Sequence, residues 1–177
     1  MIVRVILAQR GRGRNPEDRD PEGPWALSPR TGIAQGVDMK HKPHLSDVMT
    51  RDPQTVHLGQ PLSEAYALLQ KGEYHHVPVM DGDRPVGMIS STDILKLVYD
   101  VDHNDDRMLR TMLDHQFTLE DAMSTELVTV RNGESVRKVA NHMSTGDNHS
   151  VIVVDDAGAL EGIVTSSDLI RQLAELL

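Results

Sequence analysis

Gly87-Met-Ile-Ser-Ser-Thr-Asp93 and Gly162-Ile-Val-Thr-Ser-Ser-Asp168 share one pattern. Each runs a glycine into two apolar residues, then three hydroxyl residues, then an aspartate. The apolar pair reads as the end of a buried strand, and S/T-x-x-D as the start of a helix. Working outward, the match continues at a spacing of 74. Leu45-Ser-Asp-Val-Met49 pairs with Leu119-Glu-Asp-Ala-Met123, and Thr55-Val56 with Thr129-Val130. Gly59, Gly72 and His75 pair with Gly133, Gly146 and His149, and Val79-Met-Asp81 with Val153-Val-Asp155. One inserted residue then sets the opening pair at a spacing of 75. A register held this long is an internal repeat, and two copies imply a pseudo-twofold pair.

Local patterns give the unit. Thr55–Leu58 and Leu127–Val130 read as short strands. Leu62, Ala65, Tyr66 and Leu69 form an i, i+3, i+4, i+7 stripe, as do Val136, Val139, Ala140 and Met143. Pro61 suits the first helical position, and Gly72 and Gly146 suit the stops. His76–Met80 and Ser150–Val154 read as buried strands, each followed by an Asp-rich turn. A second strand then runs into a helix placed near Asp93 or Asp168. The expected class is α/β (α+β): two β-α-β-β-α repeats packed sheet to sheet with pseudo-twofold symmetry. One unit of roughly 55 residues is marginal alone, which explains the pairing.

The expected boundaries are 45–100 and 118–177, joined by an acidic linker and short helix at 101–117. Met108, Leu109, Met112 and Leu113 lie at helical spacing there and are expected to pack on a neighbour. Residues 1–38 carry an apolar start, an Arg-Gly run and four prolines, and are expected to be disordered and dispensable. Met39 is an alternative start.

The chain has 177 residues and a net charge of −9 from 18 Lys and Arg against 27 Asp and Glu. That balance argues against a nucleic-acid surface, and 3% aromatic content argues against base-stacking platforms. Cysteine is absent, which excludes disulfides, thiolate metal sites and a cysteine nucleophile. A cytoplasmic location is the simplest reading. No apolar run approaches membrane-spanning length.

The ordered, duplicated motifs resemble the cystathionine-β-synthase (CBS) domain family in its tandem, Bateman-module arrangement. The carriers are Asp47-Val-Met-Thr50, His76-Val-Pro-Val-Met-Asp81 and Gly87–Asp93, each echoed in the second copy. The resemblance implies a cleft between the copies that binds an adenosine-containing ligand, a regulatory role, and commonly a disc-shaped homodimer. It does not imply catalysis. It carries ribose binding to Asp93 and Asp168, and a place near phosphate to Ser90 and Thr165. It sets His76, with His75 beside it, where the family often has a basic residue before a hydrophobic-Pro pair ending here in Pro78. The second copy departs, with His149, Ser150 and Ile152 there. Adenine is expected against Thr50–Val56 and Ser124–Val130.

Physical chemistry supports two readings of the S/T-x-x-D motifs. A hydroxyl and backbone N–H groups at a helix start can hold phosphate, and the carboxylate can accept from ribose. The same residues also cap helices with no ligand present. Histidines near an unperturbed pKa of about 6.5 would be partly cationic at neutral pH, making polyphosphate binding weaker or pH-dependent. A half-exposed strand edge explains them equally well. Nine histidines without HExxH or Cys make a poor zinc signal, and His41-x-x-His44 is spoiled by Pro43. The acidic run Asp100–Asp106 reads as a solvated face. No nucleophile elbow or phosphate-binding loop is present.

The expected protein is therefore a sensor for AMP, ADP, ATP or a related adenosyl ligand, needing no resident cofactor, with Mg²⁺ entering only on a polyphosphate. It is not expected to be an enzyme. Its expected output is a separate effector protein or the oligomer, with no nucleic-acid or membrane partner. The alternative is a ligand-free interaction scaffold of the same fold.

Overall fold

Val77 and Val79 are wholly buried on one face of a strand, and Pro78 and Met80 are buried on the other. Such continuous burial marks a strand covered on both sides. In the computed structural model this strand is the centre of a sheet. The structure describes residues 43–72, 74–99, 105–146 and 148–177. The expectations for 1–38, Met39, His41 and Asp100–Asp102 lie outside those residues.

The chain order is α1 (Leu45–Val48), β1 (Thr50–Arg51), β2 (Val56–His57), α2 (Leu62–Gln70), β3 (His76–Asp81), β4 (Arg84–Ser90) and α3 (Ser91–Val98). Then follow α4 (Asp106–Gln116), α5 (Leu119–Ala122), β5 (Thr129–Arg131), α6 (Val136–Ser144), β6 (Ser150–Val154), β7 (Leu160–Thr165) and α7 (Ser166–Leu176). β2 pairs parallel with β3 across the α2 crossover, and β3 pairs antiparallel with β4 through a tight hairpin. β5, α6, β6 and β7 repeat this, down to a register shift at Val153/Val154 matching that at Val79/Met80. The fold is thus mixed α/β with two sheets, β2-β3-β4 and β1-β7-β6-β5.

Helix boundaries follow their local chemistry. Gly72 and Gly146 adopt φ +74° and +81° just past α2 and α6, where a side chain would be strained. Pro61 is the N-cap of α2, one residue earlier than the pattern suggested, with φ −67° and ψ 145°. α3 and α7 start at Ser91 and Ser166, so Asp93 and Asp168 stand at the third helical position. Their carboxylates close capping boxes there.

The repeat read from the sequence does not fold on itself. β1 leaves the first repeat and pairs with β7 of the second, Thr50 opposite Ile163 and Arg51 opposite Gly162. Conversely, Ser124 forms a two-bond bridge to Met88 on β4, each N···O distance 2.9 Å. Leu45, Val48 and Met49 fill the second repeat's core beside Val139, Val151 and Val164. Leu119, Ala122 and Met123 fill the first, beside Leu62, Val77 and Ile89. The exchange explains the matched glycines. A Cβ on Gly87 would lie 2.3 Å from Met123 Sδ, and one on Gly162 would lie 2.7 Å from the Thr50 carbonyl oxygen.

A third cluster, Met88 with Ile152 and Ile163, joins the two sheets face to face. α4 packs on α2 within the first core through Leu109 and Leu113, while Met108 is 73% exposed.

Candidate functional site: paired clefts at the helix starts

The strand-to-helix junctions of the two repeats open into two clefts. The first, about 600 Å³, is lined by Ser90 and Asp93 from the first repeat and by Ser124, Glu126, Leu127 and Val128 from the second. The second, about 500 Å³, is lined by Thr165 and Asp168 from the second repeat and by Thr50, Pro53 and Gln54 from the first. Each cleft is therefore composite, because the exchanged segments run from one repeat to the other's sheet. His75, His76 and His149 border both.

Asp93 Oδ2 accepts from Ser90 N at 3.0 Å and Ser90 Oγ at 2.6 Å. Asp168 Oδ2 accepts from Thr165 N at 2.8 Å and Thr165 Oγ1 at 2.7 Å. These are the capping boxes, and they fix each carboxylate through one oxygen. Oδ1 of each meets a cation three residues on: Lys96 Nζ at 3.4 Å for Asp93, and Arg171 NH1 at 3.0 Å for Asp168. The acids are nearly covered while the cations are mostly exposed, with side chains 14% against 64% and 7% against 67% accessible. The cap and the cation thus engage different oxygens of each carboxylate. A buried, oriented carboxylate with a displaceable partner is suited to receiving a vicinal diol.

The N–H groups that open the two helices are tied back to the histidine segments. Ser91 N donates to the His75 carbonyl at 3.4 Å, and Ser166 N to that of His149 at 3.0 Å. His76 is half-buried, and its pKa is lowered from 6.5 by burial first, then by His149 and His75, against an opposing pull from Asp93. Burial thus disfavours the imidazolium there, relative to a histidine of ordinary pKa.

Of the sequence-expected residues, Ser90, Asp93, His75, His76 and His149 meet in the first cleft. Thr50, Thr165 and Asp168 join the same histidines in the second. Val56 is 1% exposed in the first core, and Pro78 is buried in β3; neither is among the cleft-lining residues. Sequence reasoning passed over Glu126, Lys96 and Arg171. A signal for the last two existed: a cation at i+3 from each aspartate, at the same spacing of 75. Among the described residues, no group of three or more His, Asp or Glu is placed to share a metal ion. Nor, among them, is any helix long and apolar enough to cross a membrane.

Comparison with known proteins agrees with this geometry. The CBS domain family model matches residues 45–100 and 119–175. The chain is 29% identical to the CBS domain pair of protein MJ0100, solved in complex with 5′-methylthioadenosine and S-adenosyl-L-methionine, with a TM-score of 0.63 over 76% of this chain and 98% of that one. CBSX2, solved with AMP, shares the fold at 22% identity and a TM-score of 0.62, covering 75% of this chain and 97% of that one. Among curated proteins of Methanocaldococcus jannaschii, uncharacterized protein MJ1225 is 27% identical over 73% of this chain and 47% of its own length. The L-aspartate semialdehyde sulfurtransferase is 31% identical over 85% of this chain and 28% of its own. The chain spans from about a quarter to about half of the length of these two relatives. It belongs to the CBS domain family, as a tandem pair.

Proposed function

We propose that the chain is a regulatory module that binds an adenine nucleotide or other adenosyl ligand in the clefts between its two CBS repeats, 45–100 and 118–177. The observation that carries this reading is the pair of capped aspartates, each meeting an exposed cation through Oδ1. A ribose diol donates to Oδ1, and in the second cleft the released Arg171 turns to the ligand's phosphate or other anionic group. Ser90 and Thr165 stay with the cap and keep the carboxylate aimed. The walls at Leu127 and Val128, and at Pro53 and Gln54, offer apolar and backbone surface to the base. Solved relatives bound to 5′-methylthioadenosine, S-adenosyl-L-methionine and AMP support the ligand class. No chemical step is assigned to the chain, and Mg²⁺ enters only on a polyphosphate.

Because each cleft is built from both repeats, a ligand that fits one relative arrangement better shifts the pair toward it. A homodimer and a separate effector protein are the proposed readers of that shift, in the cytoplasm. Leu95 and Tyr99 on and beside α3, and Ile170 and Leu173 on α7, are apolar and exposed on both repeats' terminal helices. This duplicated face favours a second copy as its cover.

Thermal unfolding with AMP, ADP, ATP, NAD and S-adenosyl-L-methionine tests the reading. A ligand at a thousand times its Kd adds about 4 kcal/mol, a shift on the order of 10 °C. The shift is expected to vanish in Asp93→Ala or Asp168→Ala, each of which also loses about 1 kcal/mol of capping. A flat response throughout would replace the sensor with a ligand-free scaffold.

A further inference from the structure

The two clefts share a plan but differ in charge. Lining the Asp93 cleft are one cation, Lys96, and a second carboxylate, Glu126. Among the described residues, Arg171 lines the Asp168 cleft with no second acid. The register counterpart of Glu126 is Asp52, whose φ of +45° accompanies a place in a neighbouring groove with His57 and Asp83. The histidines bordering both clefts do not distinguish them. Burial disfavours the charged form of the shared His76.

We infer that the clefts are specialised: the Asp168 cleft, through Arg171, takes a phosphate-bearing adenosyl ligand, and the Asp93 cleft, through Glu126, takes an adenosyl ligand that is uncharged or cationic beyond its ribose. This rests on the adenosyl reading above. Arginine presents a planar fork that meets phosphate oxygens in pairs, whereas lysine offers a point charge. In the first cleft that point charge faces two carboxylates. A phosphate dianion entering there meets like charge from Glu126, while a cationic group meets an opposite one. All three deciding side chains are exposed or on the cleft rim, so their substitution leaves the core intact.

Isothermal titration calorimetry on the full chain, with AMP and adenosine as probes, tests this. Wild type is expected to bind one AMP per chain. Arg171→Met is expected to weaken AMP about tenfold, the scale of one charge-assisted contact, and adenosine less than twofold. Lys96→Met is expected to change AMP binding less than twofold. Glu126→Gln is expected to raise AMP stoichiometry from one toward two. Equal weakening of AMP by Lys96→Met and Arg171→Met, or unchanged stoichiometry in Glu126→Gln, would overturn the specialisation while leaving the sensor reading intact. Silence from both probes in wild type, with a flat melting panel, would overturn the sensor reading and this inference with it.

Discussion

α2 and α6 occupy the same place in the two repeats and each touches its repeat's terminal helix, yet α2 is also packed by α4. Against α2 lies α4, with Leu109, Leu113 and Phe117 entering the core beside Leu62 and Leu69. Asp114 receives two hydrogen bonds from Ser63, N and Oγ each at 2.8 Å. Asp106 accepts from Tyr66 and Arg110, and the Arg110 guanidinium sits 5.5 Å from the Tyr66 ring centre. At the matching positions α6 carries exposed Arg137, Lys138, Asn141 and His142, where α2 has Ser63, Glu64, Ala67 and Leu68. Both helices keep their buried inner positions, Ala65 and Leu69 against Val139 and Met143. The duplicated surface is thus the one facing the sheet and clefts, and the outer face is free to acquire a different cover.

Leu113 gives the largest test of that difference. It is fully buried and comes from outside the repeated unit. Leu113→Ala is expected to cost about 2–5 kcal/mol, the usual range for a buried leucine. Urea denaturation measures it. A loss below about 0.5 kcal/mol, the scale of a neutral surface change, would make α4 a mere linker.

The exchanged segments offer a second, smaller contrast. Gly162→Ala sets its Cβ against the backbone oxygen of Thr50, which is held in the β1–β7 pairing and cannot swing away. Gly87→Ala meets Met123 first, whose Sδ and Cγ can swing away while its Cβ stands at 3.0 Å. The first is expected to cost about 1–3 kcal/mol and the second less, as overpacking costs depend on what can yield. Equal losses in thermal melts would show that the two crossings are equally rigid.

Ser63→Ala comes next. It removes a hydroxyl hydrogen bond to Asp114 and leaves the backbone one, so about 1 kcal/mol is expected. The matching Arg137→Ala on α6 is expected to stay within about 0.5 kcal/mol. A larger loss for Arg137 would reveal a cover on α6.

These contrasts also mark what the sequence could express. The repeat, the helix stripes and the stops at Gly72 and Gly146 were legible because each is set by neighbours a few residues away. Pairing of β1 with β7 was not legible: Leu45–Met49 matches Leu119–Met123 whichever core receives it, since a local pattern names no partner. α4 was legible as a helix from Leu109 and Leu113, but not the exposure of Met108, which sits on its outer side. In the clefts, the S/T-x-x-D motif revealed Asp93 and Asp168. Division of labour between Oδ2 and Oδ1 needed coordinates. For His76, residue type gave only the ordinary pKa, while burial beside His149 and His75, which lowers it, needed coordinates.

His76 supplies the smallest contrast, and one confined to the first repeat, since Ser150 holds the equivalent place on β6. Its folded pKa lies below the 6.5 of the free side chain, chiefly through burial, with His149 and His75 adding repulsion and Asp93 opposing. The unfolded chain therefore binds the proton more readily, and acid favours unfolding at this group. The stability it contributes is fully present above pH 6.5 and is lost as pH falls through the folded value. Melting temperature is expected to drop between pH 7.5 and 5.5, and the drop to shrink in His76→Ser, which installs the second repeat's residue. Titrating groups away from this wall contribute equally to both proteins, so the difference between their slopes reports His76 together with its coupling to His75, His149 and Asp93. An unchanged slope would mean that a proton on His76 is accommodated between the clefts at no cost to folding, and the pH dependence would then belong to groups outside the shared wall.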